Sequence, residues 1–95
     1  ANLLVSHDGG ETWQSKSLQN DCKMLFDIKM LNKNLGFACA ASSDDISQSH
    51  AVILKTTDGG NSWKKVYQSA RPFETTWKVT FPTPQVGYIT IQSYN

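Results

Sequence analysis

One eight-residue pattern occurs twice in this 95-residue chain, as Ser6-His7-Asp8-Gly9-Gly10-Glu11-Thr12-Trp13 and as Thr56-Thr57-Asp58-Gly59-Gly60-Asn61-Ser62-Trp63. The copies lie 50 residues apart. Their shared core is Asp-Gly-Gly-x-Ser/Thr-Trp, and with ordinary residue usage a chance match is on the order of one in a million per position. A weaker pattern accompanies it. Phe26-Asp27-Ile28-Lys29-Met30 followed by Gly36-Phe37 matches Trp77-Lys78-Val79-Thr80-Phe81 followed by Gly87-Tyr88, at an offset of 51 residues. Two signals at nearly the same offset describe one repeating unit, and a fixed period of that size constrains the chain to a repeat architecture.

Each box reads as a turn between strands. Asn2-Leu3-Leu4-Val5-Ser6 and Ala51-Val52-Ile53-Leu54-Lys55-Thr56 are short and apolar, as buried strands are. Each runs into Asp-Gly-Gly, where glycine accepts positive φ without steric cost. Asp8 and Asp58 carry short acceptors that can bond backbone N–H groups of their own turn. Thr12 and Ser62 can donate back, and Trp13 and Trp63 offer apolar faces to cover the hairpin and begin the return strand. Ser6, Asp8, Gly9, Gly10, Thr12 and Trp13, with Thr56, Asp58, Gly59, Gly60, Ser62 and Trp63, therefore have local structural work. Reading either box as a metal loop fails, because an EF-hand-like loop needs several oxygen ligands within about twelve residues. No metal ligand set and no cofactor motif is expected.

The rest of the unit is also β. Phe26, Ile28 and Met30 alternate with Asp27 and Lys29, the pattern of a half-buried strand. Leu31-Asn32-Lys33-Asn34-Leu35-Gly36 is a polar connector with a glycine stop. Phe37-Ala38-Cys39-Ala40-Ala41 is a small-residue strand, and residues 42–50 form a polar loop. One unit thus holds four short antiparallel strands, and no window shows helical periodicity.

Four strands per unit with a turn signature in each is the requirement of a β-propeller blade. The boxes resemble the Asp-box, or BNR repeat, of sialidase-like propellers. The longer pattern, Asp27-Ile28-Lys29-Met30 with Gly36-Phe37 and then Ile53 through Trp63, is similar to repeats of photosystem II assembly and stability factor-like propellers. The fold class expected is all-β, with four-stranded antiparallel blades and about two blades' worth of an incomplete ring. Residues 1–18 are expected to be the second half of a blade, residues 25–69 a complete blade, and residues 77–92 the first half of the next. Closed propellers have roughly four to eight blades, so 95 residues do not close a ring alone. The expectation is a part of a larger ring, with a short chain that assembles with itself as the alternative.

Composition narrows the function classes. Nine basic and eight acidic residues give a net charge of +1, which argues against a nucleic-acid footprint. No stretch approaches a membrane span. Cys39 reads as a small core residue. A Cys22–Cys39 bridge would need a bend in the connector, since Cys39 faces about Asp27 in the hairpin near Lys33.

The resemblance also assigns faces. It puts the boxes on the lower rim, and the upper face falls to residues 18–25, 42–50 and 69–76. Asp44, Asp45, His50, Arg71, Phe73 and Glu74 are the candidate ligand or partner contacts there. Adjacent carboxylates such as Asp44 and Asp45 can hold a cation or serve acid–base chemistry, or simply be solvated. Arg71 and Phe73 are residue types enriched at interaction hot spots, or anchors of the connector. No catalytic residue is assigned. The resemblance implies a non-catalytic scaffold that binds a protein partner in an extracytoplasmic setting. The alternative is a glycoside hydrolase, sialidase-like or an endo-glucanase, taking a carbohydrate, with catalytic residues expected mostly outside these 95 residues. A sialidase needs an arginine cluster, and Arg71 is the one arginine in the chain. A receptor-type propeller is a third reading.

Overall fold

The computed structural model describes residues 1–94. Eight strands follow one another: β1 Asn2–Val5, β2 Gln14–Ser17, β3 Met24–Met30, β4 Gly36–Ala41, β5 Ala51–Thr56, β6 Lys64–Gln68, β7 Glu74–Thr83 and β8 Val86–Ser93. The all-β, antiparallel class expected from the sequence is what the chain adopts. The one helical element described is a 3-10 turn at Ile46–Gln48, inside the polar loop. The strands form three sheets: β1-β2, a four-stranded β3-β4-β5-β6, and β7-β8.

The central sheet owes its position to its small, apolar middle. β4 pairs with β5 without a break, from Gly36 opposite Thr56 to Ala41 opposite Ala51. Ala38, Cys39, Ala40, Ala51, Val52 and Leu54 are all buried. Strand side chains alternate between faces, so both faces of β4 and β5 are covered. Ala38, Ala40, Val52 and Leu54 form one face, with Leu18 and Cys22 against them and Leu3, Leu25, Ile28 and Trp63 at the margin. The side chains of Phe37 and Ile53 point to the other face, where β7 lies. There Phe37 stacks on Phe81 with centroids 5.2 Å apart, and Phe26 meets Trp77 at 5.4 Å. The Thr76 hydroxyl is shared between the carbonyls of Ala40 at 2.7 Å and Val52 at 3.1 Å. The β1-β2 and β7-β8 hairpins therefore sandwich the central sheet.

Several sequence expectations shift. The tryptophans precede the return strands, which begin at Gln14 and Lys64. The first strand of the central sheet starts at Met24, and its strict alternation is broken by a register shift between Leu25 and Asp27. A bulge re-aims side chains locally. In consequence Phe26 leaves the face of Ile28 and packs on Trp77, on the same side as the half-buried Asp27. Its carboxylate accepts the Val79 N–H at 3.1 Å, which ties β3 to β7. The connectors expected over residues 18–25 and 69–76 are shorter than that, because Met24–Leu25 and Glu74–Thr76 are already strand.

Candidate functional site

The two ends of the central sheet differ in kind. β5 runs from the loop of residues 42–50 to the second box, so the boxes and the candidate loop occupy opposite ends of the sheet.

At the box end the chemistry is self-contained. In the second box the Ser62 N–H donates to Asp58 Oδ1 at 2.9 Å and the Ser62 hydroxyl to Oδ2 at 2.5 Å. The Thr56 hydroxyl donates to Asp58 Oδ1 and accepts from the Gly60 N–H at 2.9 Å. The Trp63 indole N–H closes the turn on the Gly60 carbonyl at 3.1 Å. The first box repeats this bond for bond with Ser6, Asp8, Gly10, Thr12 and Trp13. The side-chain hydroxyl four residues on, then its backbone N–H, pull Asp8 and Asp58 from 3.8 down to about 2. A carboxylate whose lone pairs are taken by its own turn is a poor base. Gly9, Gly10, Gly59 and Gly60 all have positive φ.

The opposite end collects the other sequence candidates, but ties most of them up. Asp45 caps the 3-10 turn, accepting from Ser47 N–H at 3.0 Å and its hydroxyl at 2.7 Å. His50 Nδ1 lies 2.9 Å from the Ser69 carbonyl. A carbonyl only accepts, so Nδ1 is the donor in this contact. Arg71 Nε pairs with Glu74 Oε2 at 3.1 Å. Glu74 is buried, and the Ser69 hydroxyl followed by the Arg71 guanidinium hold its carboxyl below the usual range. Its backbone N–H and carbonyl are bonded to Ser49. Phe73 has φ 66, the single non-glycine residue with positive φ among the described residues. This left-handed residue turns the connector into β7. His50, Ser69, Arg71 and Glu74 thus form one network that staples the connector to the loop.

Asp44 differs. Among the described residues its carboxylate has no hydrogen-bond partner, and it borders a groove of about 260 Å³. Met24, Phe26, Ile46, Trp77 and Tyr94 are its large side chains, giving a mostly apolar floor with a carboxylate at its lip. Sequence reading did not select these five. They come from β3, β7, the 3-10 turn and the residue that follows β8, and no short-range pattern joins them all. The aromatic residue types at positions 77 and 94 were the available signal. No group of three or more His, Cys, Asp or Glu stands together for a metal ion among the described residues. Nor is any described helix long and apolar enough to cross a membrane. Searches of family models, of curated proteins and of solved structures find no match to this chain.

Proposed function

We propose that the chain contributes to a non-catalytic β-propeller scaffold of the Asp-box type, which docks a protein partner at the loop end of its sheets. Two identically bonded box hairpins and a four-stranded antiparallel sheet between flanking hairpins support the propeller reading. The groove of Phe26, Trp77, Tyr94, Met24 and Ile46 beside Asp44 carries the binding reading. Aromatic side chains with a nearby charge are the residue types that anchor protein interfaces. Hydrolysis has less support from these residues, because Glu74 is ion-paired with the one arginine and Asp45 is committed to its turn, which leaves Asp44 as the one acidic candidate without a partner among the described residues.

The test uses a photoreactive side chain at Ile46, on the groove's edge. Irradiation in native extract is expected to link one defined protein, with the link lost in Trp77→Ala. Fluorogenic sialosides and β-glucans are expected to remain intact over a broad pH range. Turnover of either substrate overturns the scaffold reading.

A further inference from the structure

The groove beside Asp44 is preformed. Asp44 stands on the loop between β4 and β5, and that loop is fixed by its own bonds. The Ser42 N–H donates to the His50 carbonyl at 3.0 Å, the His50 N–H to the Ser42 hydroxyl at 2.8 Å, and the Asp45 N–H to the Ser43 hydroxyl at 3.1 Å. The same loop is tied to β7. There the Glu74 N–H donates to the Ser49 carbonyl at 3.1 Å, and the Ser49 hydroxyl donates to the Glu74 carbonyl at 3.0 Å. Trp77 follows on the same strand and is set against Phe26, with centroids 5.4 Å apart and planes tilted by 37°. A carboxylate and an aromatic pair are thus held in a fixed relation, and little ordering is left to oppose binding.

The charge of the groove has one sign. Asp44 is the one charged side chain among the lining residues. Its neighbour Asp45 spends its carboxylate on the Ser47 N–H and hydroxyl, whereas Asp44 has no such donor among the described residues. No lysine lines the groove, and the one arginine of the chain, Arg71, is paired with Glu74. An apolar or anionic occupant would strip water from the Asp44 carboxylate without replacing it, which is costly. A cation gains twice, because ring faces attract it and a carboxylate accepts its donors.

We propose, building on the docking role above, that the groove receives an arginine of the partner protein, with its guanidinium over Trp77 and bonded to Asp44. An apolar residue beside that arginine rests on Met24 and Ile46. Arginine fits better than lysine, because its planar guanidinium stacks on an aromatic face while its N–H fork meets a carboxylate. A lysine ammonium is a compact, strongly hydrated point charge that gives up more water on an apolar floor. The surfaces it needs are open, since Trp77 is 48% exposed and Met24 and Ile46 are each 39% exposed. The groove of about 260 Å³ lies just below the range of small-molecule sites, which suits a single long side chain.

The probes are acetyl-Leu-Arg-Leu-amide and its citrulline counterpart, which keeps the shape of arginine and lacks the charge. The indole N–H resonance of Trp77, assigned by its loss in Trp77→Phe, reports occupancy in the purified chain. The arginine probe is expected to shift that resonance and to bind about fivefold more tightly than the citrulline probe, the size of a partly exposed charge pair. Added salt is expected to erode the preference, because it screens exposed charges. In Asp44→Asn the two probes are expected to bind alike. In Asp44→Lys acetyl-Leu-Glu-Leu-amide is expected to overtake the arginine probe. Equal binding of both probes by the wild-type chain overturns the proposal, as does the absence of any shift with the arginine probe. An undiminished preference in Asp44→Asn overturns it too, since the cation is then held elsewhere. The docking role fails separately. A partner photo-crosslinked at Ile46, together with equal probe binding, leaves that role standing and removes only the arginine.

Discussion

Asp8 and Asp58 each accept two bonds from a hydroxyl residue four positions on, and that arrangement is expected to weaken the box hairpins in acid. Their carboxyls sit at about 2 in the fold against an ordinary 3.8. A depressed folded value means that ionisation favours the native turn, so this contribution is complete above 3.8 and is lost as the pH falls from there toward about 2. Carboxyl carbon NMR shifts of both residues are expected to titrate near the lower value, and a midpoint at the ordinary value would contradict the bonding described. The glycines separate by their neighbours. Gly59→Ala must hold φ 74 and also displace the Lys33 carbonyl, whereas Gly9→Ala faces only the strain of φ 75. The left-handed conformation costs an ordinary residue about 1–2 kcal/mol. Gly59→Ala is therefore expected to lower stability by more than that in thermal unfolding, and Gly9→Ala by no more. The bonding inside each box was legible in the sequence, because each of those bonds spans at most four residues, whereas the close approach of Lys33 to Gly59 was not.

Elements were legible less evenly. The box hairpins and the small-residue strand β4 are where their patterns put them. The bulge in β3 was not visible, since Phe26, Ile28 and Met30 alternate perfectly while the partner strand sets the actual register. The start of β7 at Glu74 was likewise hidden, because its strand character comes from docking on Ser49 and pairing with Ser93 rather than from propensity. The two tryptophans show how one element type acquires two values. Both indoles close their own turn, but Trp63 also packs on the core cluster. Trp63→Ala is expected to cost about 2–3 kcal/mol, below the about 3–5 kcal/mol of fully buried aromatic truncations, because the ring is only partly buried. Trp13→Ala is expected to cost clearly less. Equal losses in chemical denaturation would remove the distinction.

For the whole molecule, the sandwich decides the fate of the cysteines. Cys22 joins the face of Ala38 and Ala40, while Cys39 points to the opposite face of β4, so the two thiols are separated by the sheet and both are free. Burial pushes Cys39 up to about 11 and raises Cys22 as well. A thiol held above its ordinary value carries little thiolate, so both are expected to resist an aromatic disulfide reagent at pH about 8 until the chain unfolds. Rapid labelling of the native chain would refute the packing. The sequence by itself determined the period, the two box hairpins and the all-β class, since turn chemistry and strand alternation are short-range. Tertiary structure decided which of two equivalent residues is buried, and that Phe26, Trp77 and Tyr94 meet beside Asp44. Those outcomes depend on which sheet stacks on which face, and burial is a property of residues far apart in the chain.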